Sequence, residues 1–225
     1  MYLLTETASP FALERWAAFF ANFGQFAKGF FYTLGISIGA LIVALLLGLI
    51  FGAMSSTHNK VLRGISRVYV EIFQNTPLLV QFVVVFYGIS ILTDGHIMIP
   101  ISLTAILCVG VYTGAYISEI IRTGIEAVPK GQTEAALSQG FTYADTMRII
   151  ILPQAVRTIL PPLTNQVVNL IKNTSTVAII SGADIMFTAK AWAYDTTNYV
   201  PAFAGAAFLY FIMCFPLATW ARRKE

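Results

Sequence analysis

Residues 134–153, EAALSQGFTYADTMRIIILP, form a polar stretch between two long apolar runs. Good helix formers precede Gly140, and glycine is the residue that most readily ends a helix in the left-handed conformation. Thr142, with Asp145 three residues later, is typical of a capped helix start. The stretch therefore predicts two short helices joined at Gly140, the second of which ends ahead of Pro153.

The composition places the chain in a lipid bilayer. Of its 225 residues, 57% are hydrophobic and only 11% are charged, whereas a soluble domain carries about 25% charged residues. The net charge of +3 is too small to indicate a nucleic-acid partner. Cys108 and Cys214 lie in apolar runs, which indicates buried thiols rather than a disulfide. With two histidines, His58 and His96, no metal-ligand cluster is expected.

Five apolar runs are long enough to cross a membrane, since a spanning helix needs about 20 residues. Together they predict an all-α membrane protein with a five-span domain over residues 26–225. Glycine pairs at 35/39 and 48/52 would let the first span approach another helix closely. The predicted spans cover residues 29–54, 68–93, 99–122, 158–181 and 201–221.

Basic residues cluster in alternate connections between these spans, and the basic side of a membrane protein is cytoplasmic. The N-terminus is therefore expected outside the cell and the C-terminus in the cytoplasm. The connection at 128–153, between the third and fourth spans, is then cytoplasmic. The cytoplasmic basic residues are Lys60, Arg63, Arg67, Arg122, Lys130, Arg148, Arg157, Arg222, Arg223 and Lys224.

Residues 1–25 are expected to form a separate N-terminal element without a cleavable signal, because no basic segment precedes an apolar one. Residues 9–24 predict an amphipathic helix with Ser9 as its cap and Pro10 at its first position. Such a helix lies along the membrane surface or packs on its own protein. Its predicted apolar face consists of Leu13, Trp16, Ala17, Phe20 and Phe23.

The fourth span carries a polar stripe. Its members follow one another at intervals of four, three and four residues, which puts them on one helical face. Polar groups inside a membrane are costly, so this face is expected to line the protein interior or a wet cavity. The stripe consists of Asn165, Asn169, Lys172 and Thr176, flanked by Gln166 and Asn173.

The second span has a predicted break. Pro77 cannot donate to the carbonyl of Phe73, so the helix should break near Asn75 and Thr76. Many transporters bind substrate at broken helices near the membrane midplane. We therefore expect a polar pocket between the second and fourth spans. Its predicted lining is Asn75, Thr76, Pro77 and Gln81 from the second span and Asn169, Lys172, Asn173 and Thr174 from the fourth.

Lys172 has two interpretations. It binds the carboxylate of a substrate, or it pairs with Glu119 or Glu71 and holds helices together. A helical rise of about 1.5 Å per residue puts Lys172 deeper in the membrane than Glu119, which favours the substrate interpretation. Arg122 lies within one helical turn of both Glu119 and Glu126, which indicates an ion network at the membrane edge.

Several motifs resemble one family. The stretch from Glu134 to Pro153 resembles the cytoplasmic EAA loop of ATP-binding-cassette importer permeases. AYISEIIRTGIEAVPKGQTEAALSQG, LPQAVRTILPPLTNQ and IKNTSTVAIIS resemble the polar amino-acid uptake permeases, the histidine, glutamine, glutamate and arginine family. FQNTPLLVQ at residues 73–81 resembles a further motif, in which Gln74 and Asn75 replace the usual arginine–glycine pair. The resemblance covers residues 26–221.

The resemblance implies a transport subunit driven by a separate cytoplasmic ATPase. In such importers the loop forms coupling helices, and closure of two ATPase subunits on ATP rocks the spans between inward and outward states. The resemblance also implies a dimer of permeases, an extracytoplasmic substrate-binding protein and a place in the bacterial cytoplasmic membrane. It assigns the ATPase contact to Glu134, Ala135, Ala136 and Gly140.

ATP and Mg²⁺ are expected to bind the partner ATPase rather than this chain. The sequence contains no G-x-x-x-x-G-K-[ST] phosphate loop, so the chain is not expected to be an enzyme or to hold a cofactor. The resemblance implies a polar amino acid as the substrate. Asn173 and the neutral pair Gln74 and Asn75 favour glutamine or an acidic amino acid.

Two other classes of protein fit less well. A stand-alone secondary carrier or channel would also account for the polar stripe and the broken helix. Five spans do not divide into two inverted halves, however, and the 128–153 connection would have no role. An intramembrane enzyme is disfavoured because no Ser–His, paired Asp or metal set occurs at a plausible spacing.

Overall fold

The computed structural model describes Ser9 and residues 11–222, and these residues form helices and no strand. The predicted all-α fold is therefore confirmed. A π-helical turn, Thr146–Ile151, joins α7 to α8, and a 3-10 helix, Thr174–Ile180, follows α8. The helices are α1 Leu13–Ala21, α2 Phe23–Ser55, α3 Lys60–Gln74, α4 Leu78–Leu92, α5 Ile101–Glu126, α6 Lys130–Ser138, α7 Tyr143–Asp145, α8 Leu152–Asn173, α9 Ile185–Thr196 and α10 Tyr199–Arg222.

Within the described residues, three helices are long and apolar enough to cross a membrane, namely α2, α5 and α10. The bent pair α3 and α4 supplies a fourth candidate if the two helices count as one span. α8 holds most of the predicted fourth span but is not among these candidates, because its polar stripe lowers its hydropathy. Five spans therefore stay a prediction, with three or four supported by length and composition.

α2 and α5 pack closely because small residues line their contact. A Cβ atom on Gly48 would lie 2.4 Å from Cγ2 of Ile117. A Cβ atom on Gly52 would lie 2.8 Å from Cβ of Ile121. Only glycine allows the two backbones this approach. The close contact predicted for the first span is thus confirmed at Gly48 and Gly52, whereas Gly35 has nothing within 4 Å of its would-be Cβ.

The chain bends by 97° between α3 and α4. Pro77 lies at the bend and lacks the N–H group that would continue α3, and it caps the start of α4 with extended backbone, ψ 133°. The break predicted near Asn75 and Thr76 is therefore confirmed. The two halves of the predicted second span point in very different directions, which decides what each half can contact.

α3 begins earlier than the apolar run predicted. It starts at Lys60 rather than near residue 68. The side chain of Asn59 accepts hydrogen bonds from the N–H groups of Val61 and Leu62, at 2.9 and 3.4 Å. This cap starts the helix in polar, exposed sequence. Hydropathy indicates which part of a helix lies in lipid, not where the helix starts.

Segment 128–153 contains the two predicted short helices, α6 and α7, joined at Gly140. The φ of Gly140 is +88°, the left-handed conformation that the sequence predicted. The N–H of Phe141 donates to the carbonyl of Ala136 at 3.1 Å, and the N–H of Gly140 donates to the carbonyl of Leu137 at 3.0 Å. This bond pair is a Schellman motif, which satisfies the last carbonyls of α6.

The second short helix does not end ahead of Pro153, as the sequence predicted. It starts as expected at Thr142, whose hydroxyl accepts from the N–H of Asp145 at 3.2 Å. It then runs through the π-helical turn Thr146–Ile151 into α8. Pro153 lies in the first turn of α8, where the π turn has changed the hydrogen-bond register and a missing N–H costs little. The predicted stop is therefore wrong.

The N-terminal helix α1 is shorter than the predicted helix over 9–24. It starts at Leu13, and Ser9 is not its cap, because its hydroxyl accepts from the N–H of Phe11 at 3.3 Å in the turn before the helix. Asn22 separates α1 from α2, which starts at Phe23. Residues 1–8 and position 10, which were expected to belong to this element, lie outside the described part of the chain.

α1 has a packed face and an exposed apolar face. Phe19 is 4% exposed, and its ring centroid lies 4.8 Å from that of Phe26 and 6.0 Å from that of Trp192. Leu13 and Phe20, which belong to the predicted apolar face, are 85% and 67% exposed. The helix thus packs on its own protein through a residue that the sequence did not single out. That the exposed face of α1 lies on the membrane surface stays a prediction.

Candidate functional site

A polar cavity of about 380 Å³ lies between α5 and α8 and is called the Lys172 cavity here. α8 supplies four members of its predicted polar stripe and flank, namely Gln166, Asn169, Lys172 and Asn173. These residues share one side of α8 because their spacing follows the helical repeat. The full lining is Tyr112, Tyr116, Gln166, Asn169, Lys172 and Asn173.

Two tyrosines of this cavity were missed from the sequence. Tyr112 and Tyr116 lie one turn apart on α5, and their hydroxyl oxygens are 3.1 Å apart. Both carry a hydroxyl group in the uncharged part of α5, ahead of Glu119. Polar side chains at a four-residue interval in the third predicted span were the signal that could have identified them.

The side chain of Lys172 makes no ion pair within the described residues. Its two predicted structural partners are engaged elsewhere. Glu119 pairs with Arg122, and Glu71 lies 3.7 Å from the Nε of Arg67. The structural interpretation of Lys172 therefore has no support in this geometry. Lys172 lines this cavity and also a second one, of about 280 Å³, beside Met186 and Tyr210.

The residues at the bend between α3 and α4 bond mainly to the bend itself. The hydroxyl of Thr76 donates to the carbonyl of Ile72 at 2.7 Å. The amide of Asn75 donates to the carbonyl of Glu71 at 2.8 Å and to its carboxylate at 3.1 Å. These bonds satisfy groups that the broken helix leaves free.

Gln81 supports the bend from its far side. Its amide nitrogen donates to the carbonyls of Phe73, at 3.2 Å, and Thr76, at 3.0 Å. Because Pro77 removes the donor that Phe73 would otherwise meet, Gln81 replaces a lost backbone hydrogen bond. The side chain is buried, and its Oε1 atom has no hydrogen-bond partner among residues 11–222 and Ser9.

A second cavity, of about 930 Å³, lies between α3 and α5 and is called the Arg122 cavity here. Its wall includes the predicted ion network, because the guanidinium of Arg122 bonds to both Glu119 and Glu126. Asn75 and Gln74 also line this cavity. Remaining lining residues include Ser55, Ser56, Thr57, His58, Arg63, Ser66, Arg67, Glu71 and Ser118.

The structure divides the predicted polar pocket. Asn169, Lys172 and Asn173 line the Lys172 cavity, whereas Asn75 lines the Arg122 cavity. Thr174 is buried, and its hydroxyl donates to the carbonyl of Ile171 at 2.7 Å. Neither cavity lining includes Thr76, Pro77, Gln81 or Thr174.

Segment 128–153 presents most of its predicted contact residues to the outside. Glu134, Ala135 and Gly140 are exposed. Ala136 is 3% exposed, so its small side chain is packed inside the segment rather than at its surface. A larger residue there would separate α6 from the π-helical turn on which it packs.

Comparisons with known proteins agree on one family. The family described as binding-protein-dependent transport system inner membrane component matches residues 44–223 of this chain. The probable glutamine ABC transporter permease protein GlnM of Bacillus subtilis (strain 168) is 38% identical over 202 residues, which covers 88% of this chain and 91% of that protein. The glutamate/aspartate import permease protein GltJ of Escherichia coli (strain K12) is 35% identical over 187 residues, which covers 75% of this chain and 76% of that protein.

A solved structure agrees with these relatives. The crystal structure of an amino acid ABC transporter with histidines contains a chain that superposes on this one with a TM-score of 0.85. The two chains are 31% identical, and the match covers 92% of this chain and 95% of the other. The chain therefore belongs to the family of binding-protein-dependent transport system inner membrane components.

Proposed function

We propose that this chain is the membrane-spanning permease subunit of an ATP-driven amino-acid importer in the bacterial cytoplasmic membrane. One observation carries the proposal: the exposed two-helix segment 128–153 runs without a break into α8, the helix that lines the Lys172 cavity. A displacement of the segment is therefore passed along a helix to the cavity. At about 1.5 Å per residue, that helix bridges roughly 40 Å.

The proposed topology has five spans, with the N-terminus outside and the C-terminus in the cytoplasm. Segment 128–153 then faces the cytoplasm, where a separate ATPase binds it through Glu134, Ala135 and Gly140. Closure of the ATPase on ATP and Mg²⁺ moves the segment, and the spans alternate between inward and outward states. ATP hydrolysis takes place in the partner, and this chain needs no cofactor.

The proposed substrate is glutamine or an acidic amino acid. The Lys172 ammonium binds the substrate carboxylate, and the amides of Gln166, Asn169 and Asn173 can donate to or accept from the substrate side chain. The cavity lining contains no carboxylate that could pair with a basic side chain. Its volume of about 380 Å³ lies in the range of roughly 300–1,000 Å³ that is usual for ligand pockets.

Relatives support this substrate class, since they are named as permeases for glutamine and for glutamate and aspartate. The substrate role predicted for Asn75, Thr76, Pro77, Gln81 and Thr174 stays a prediction, because none of them lines the Lys172 cavity. The proposed assembly contains two permease subunits, identical or similar, two ATPase subunits and an extracytoplasmic binding protein that delivers the substrate.

The experiment is purification of the tagged chain from its host in mild detergent, followed by identification of the proteins that accompany it. A soluble ATPase with a phosphate loop is expected. Gly140→Leu should release it, because a side chain at φ +88° is strained and distorts the turn. Gly64→Leu is the matched control, since Gly64 also has open space around it but does not adopt a positive φ.

A chain that purifies alone and folded would contradict the proposal and favour an autonomous carrier or channel. Retention of the ATPase by the Gly140→Leu variant would contradict the assignment of the contact to segment 128–153.

A further inference from the structure

The connection between α2 and α3 contacts segment 128–153 through a pair of rings. His58 and Tyr143 lie edge to face, with ring centroids 5.1 Å apart and an angle of 78° between the ring planes. Tyr143 is the first residue of α7. Edge-to-face ring pairs are favourable beyond the area that they bury. The contact joins two parts of the chain that are remote in sequence.

The connection that carries His58 is held firmly at both ends. The hydroxyls of Ser55 and Ser56 donate to the carbonyl of Gly52, at 2.7 and 3.0 Å. Asn59 caps α3 from the other end. Residues 56–59 alone separate α2 from α3, so a displacement of His58 has a connection of four residues over which to be absorbed.

His58 also lies in the wall between two cavities. It lines the Arg122 cavity, and it lines a cavity of about 620 Å³ beside α6 and α7 whose wall includes Glu134 and Tyr143. Glu126, which pairs with Arg122, lines both cavities as well. One side of this wall thus faces segment 128–153, and the other faces the ion network.

Along the chain, segment 128–153 directly follows α5 and leads into α8, whereas it is not adjacent to α2 or α3. Among the described residues, neither α6 nor α7 packs extensively on α2 or α3. A displacement of the segment therefore reaches these two helices directly through the connection that holds His58, and otherwise through α5 and through α8, which packs on α2.

We propose that His58 is a positioning residue for transport. Its contact with Tyr143 passes each displacement of segment 128–153 to α2 and α3 and so to the Arg122 cavity. This inference rests on the proposed function, in which the segment is moved by an ATPase. Loss of the ring contact leaves ATP hydrolysis intact but lowers the fraction of cycles that move substrate.

The test measures how many ATP molecules are hydrolysed per substrate molecule transported. The chain is reconstituted in proteoliposomes with its ATPase and binding protein, and labelled glutamine and glutamate are the substrates. His58→Ala is expected to raise the ratio about threefold, the effect of losing one edge-to-face ring pair. His58→Phe keeps a ring and should stay near the original ratio. His96→Ala, which removes the other, exposed histidine, is the matched control.

A second variant tests the same contact from its other side. Tyr143→Leu is expected to raise the ratio by the same factor, and the double variant should be no worse than either single variant. An unchanged ratio for His58→Ala in a complex that keeps its ATPase would overturn the inference and leave the proposed function intact, as would additive effects in the double variant. A wild-type chain that binds no ATPase and transports without ATP would overturn both.

Discussion

At the scale of single residues, we propose that Lys172 recognises the substrate. The carboxylates that could have neutralised it, Glu119 and Glu71, are paired with arginines instead. Charge-assisted hydrogen bonds between an ammonium and a carboxylate are among the stronger polar contacts in proteins. A lysine that makes no ion pair among the described residues and lies beside three amides and two tyrosine hydroxyls is therefore suited to bind a zwitterion by its carboxylate.

Lys172→Met should weaken transport without disturbing assembly. It removes the charge but keeps the length of the side chain, and loss of a charged hydrogen bond should raise the KM for uptake roughly tenfold to a hundredfold. Uptake of labelled glutamine and glutamate measures the change, and co-purification with the ATPase measures assembly. Lys190→Met removes an exposed positive charge outside the cavity and serves as the control. Normal uptake by the Lys172→Met variant would show that the cavity is not the substrate site.

At the scale of elements, the bend between α3 and α4 depends on Gln81. A carbonyl that is shielded from water and lacks a donor costs more than a typical hydrogen bond contributes, and the bend leaves the half-buried carbonyls of Phe73 and Thr76 without a backbone donor. The amide of Gln81 bonds to both. Gln81, which was predicted to bind substrate, therefore stabilises the bend.

Gln81→Leu should lower the free energy of unfolding by about 1–3 kcal/mol, because it leaves these carbonyls unpaired. Thermal unfolding of the detergent-solubilised chain, followed by circular dichroism, measures the loss. Gln154→Leu removes a comparable bond to the carbonyl of Ile150, 2.8 Å long, but at an exposed site where water can replace it. Equal melting temperatures for the two variants would contradict the role assigned to Gln81.

α1 allows a similar comparison between adjacent phenylalanines. Phe19→Ala should cost roughly 3–5 kcal/mol of unfolding free energy, because it empties a packed site beside Phe26 and Trp192. Phe20→Ala should leave stability nearly unchanged, since Phe20 is 67% exposed. If α1 lies on the membrane surface, Phe20→Ala should instead reduce quenching of nearby Trp16 by lipid-attached quenchers. The same thermal unfolding assay measures stability, and equal losses for the two variants would contradict the packing.

The end or break of a helix could be predicted from the sequence where a single residue determines it. Gly140, Thr142 and Pro77 each act within a few residues of their own position, so the turn, the cap and the break were all predicted correctly. The expectation that a helix ends ahead of a proline was wrong at Pro153, because the π-helical turn ahead of Pro153 changes the backbone hydrogen-bond pattern. The face of α1 that packs also escaped prediction, since helical periodicity does not say which of two apolar faces meets the protein.

At the scale of the whole molecule, the sequence identified the polar residues but not how they group. Asn75 and Lys172 both stand out as polar groups in apolar runs, and a pocket between them was expected. The 97° bend turns α3 toward the end of α5 that carries Arg122, so Asn75 lines a different cavity. The direction of such a bend depends on packing between helices that are distant in sequence, so no local sequence pattern predicts it.

The two cavities and segment 128–153 form one connected arrangement. α8 leads from the segment to the Lys172 cavity, and α5 carries both Tyr112 of that cavity and Arg122 of the other. Motion of the segment can therefore change the Lys172 cavity and the ion network of the Arg122 cavity together. This linkage is what an ATP-driven transporter requires and what an autonomous carrier would not need.

The most direct test of the central claim is uptake by proteoliposomes that contain this chain, its co-purified ATPase and the binding protein. We expect uptake of labelled glutamine or glutamate that requires ATP on the cytoplasmic side and stops when the ATPase is omitted. Uptake at the same rate without ATP or the ATPase would contradict it, because the chain would then move its substrate as an autonomous carrier.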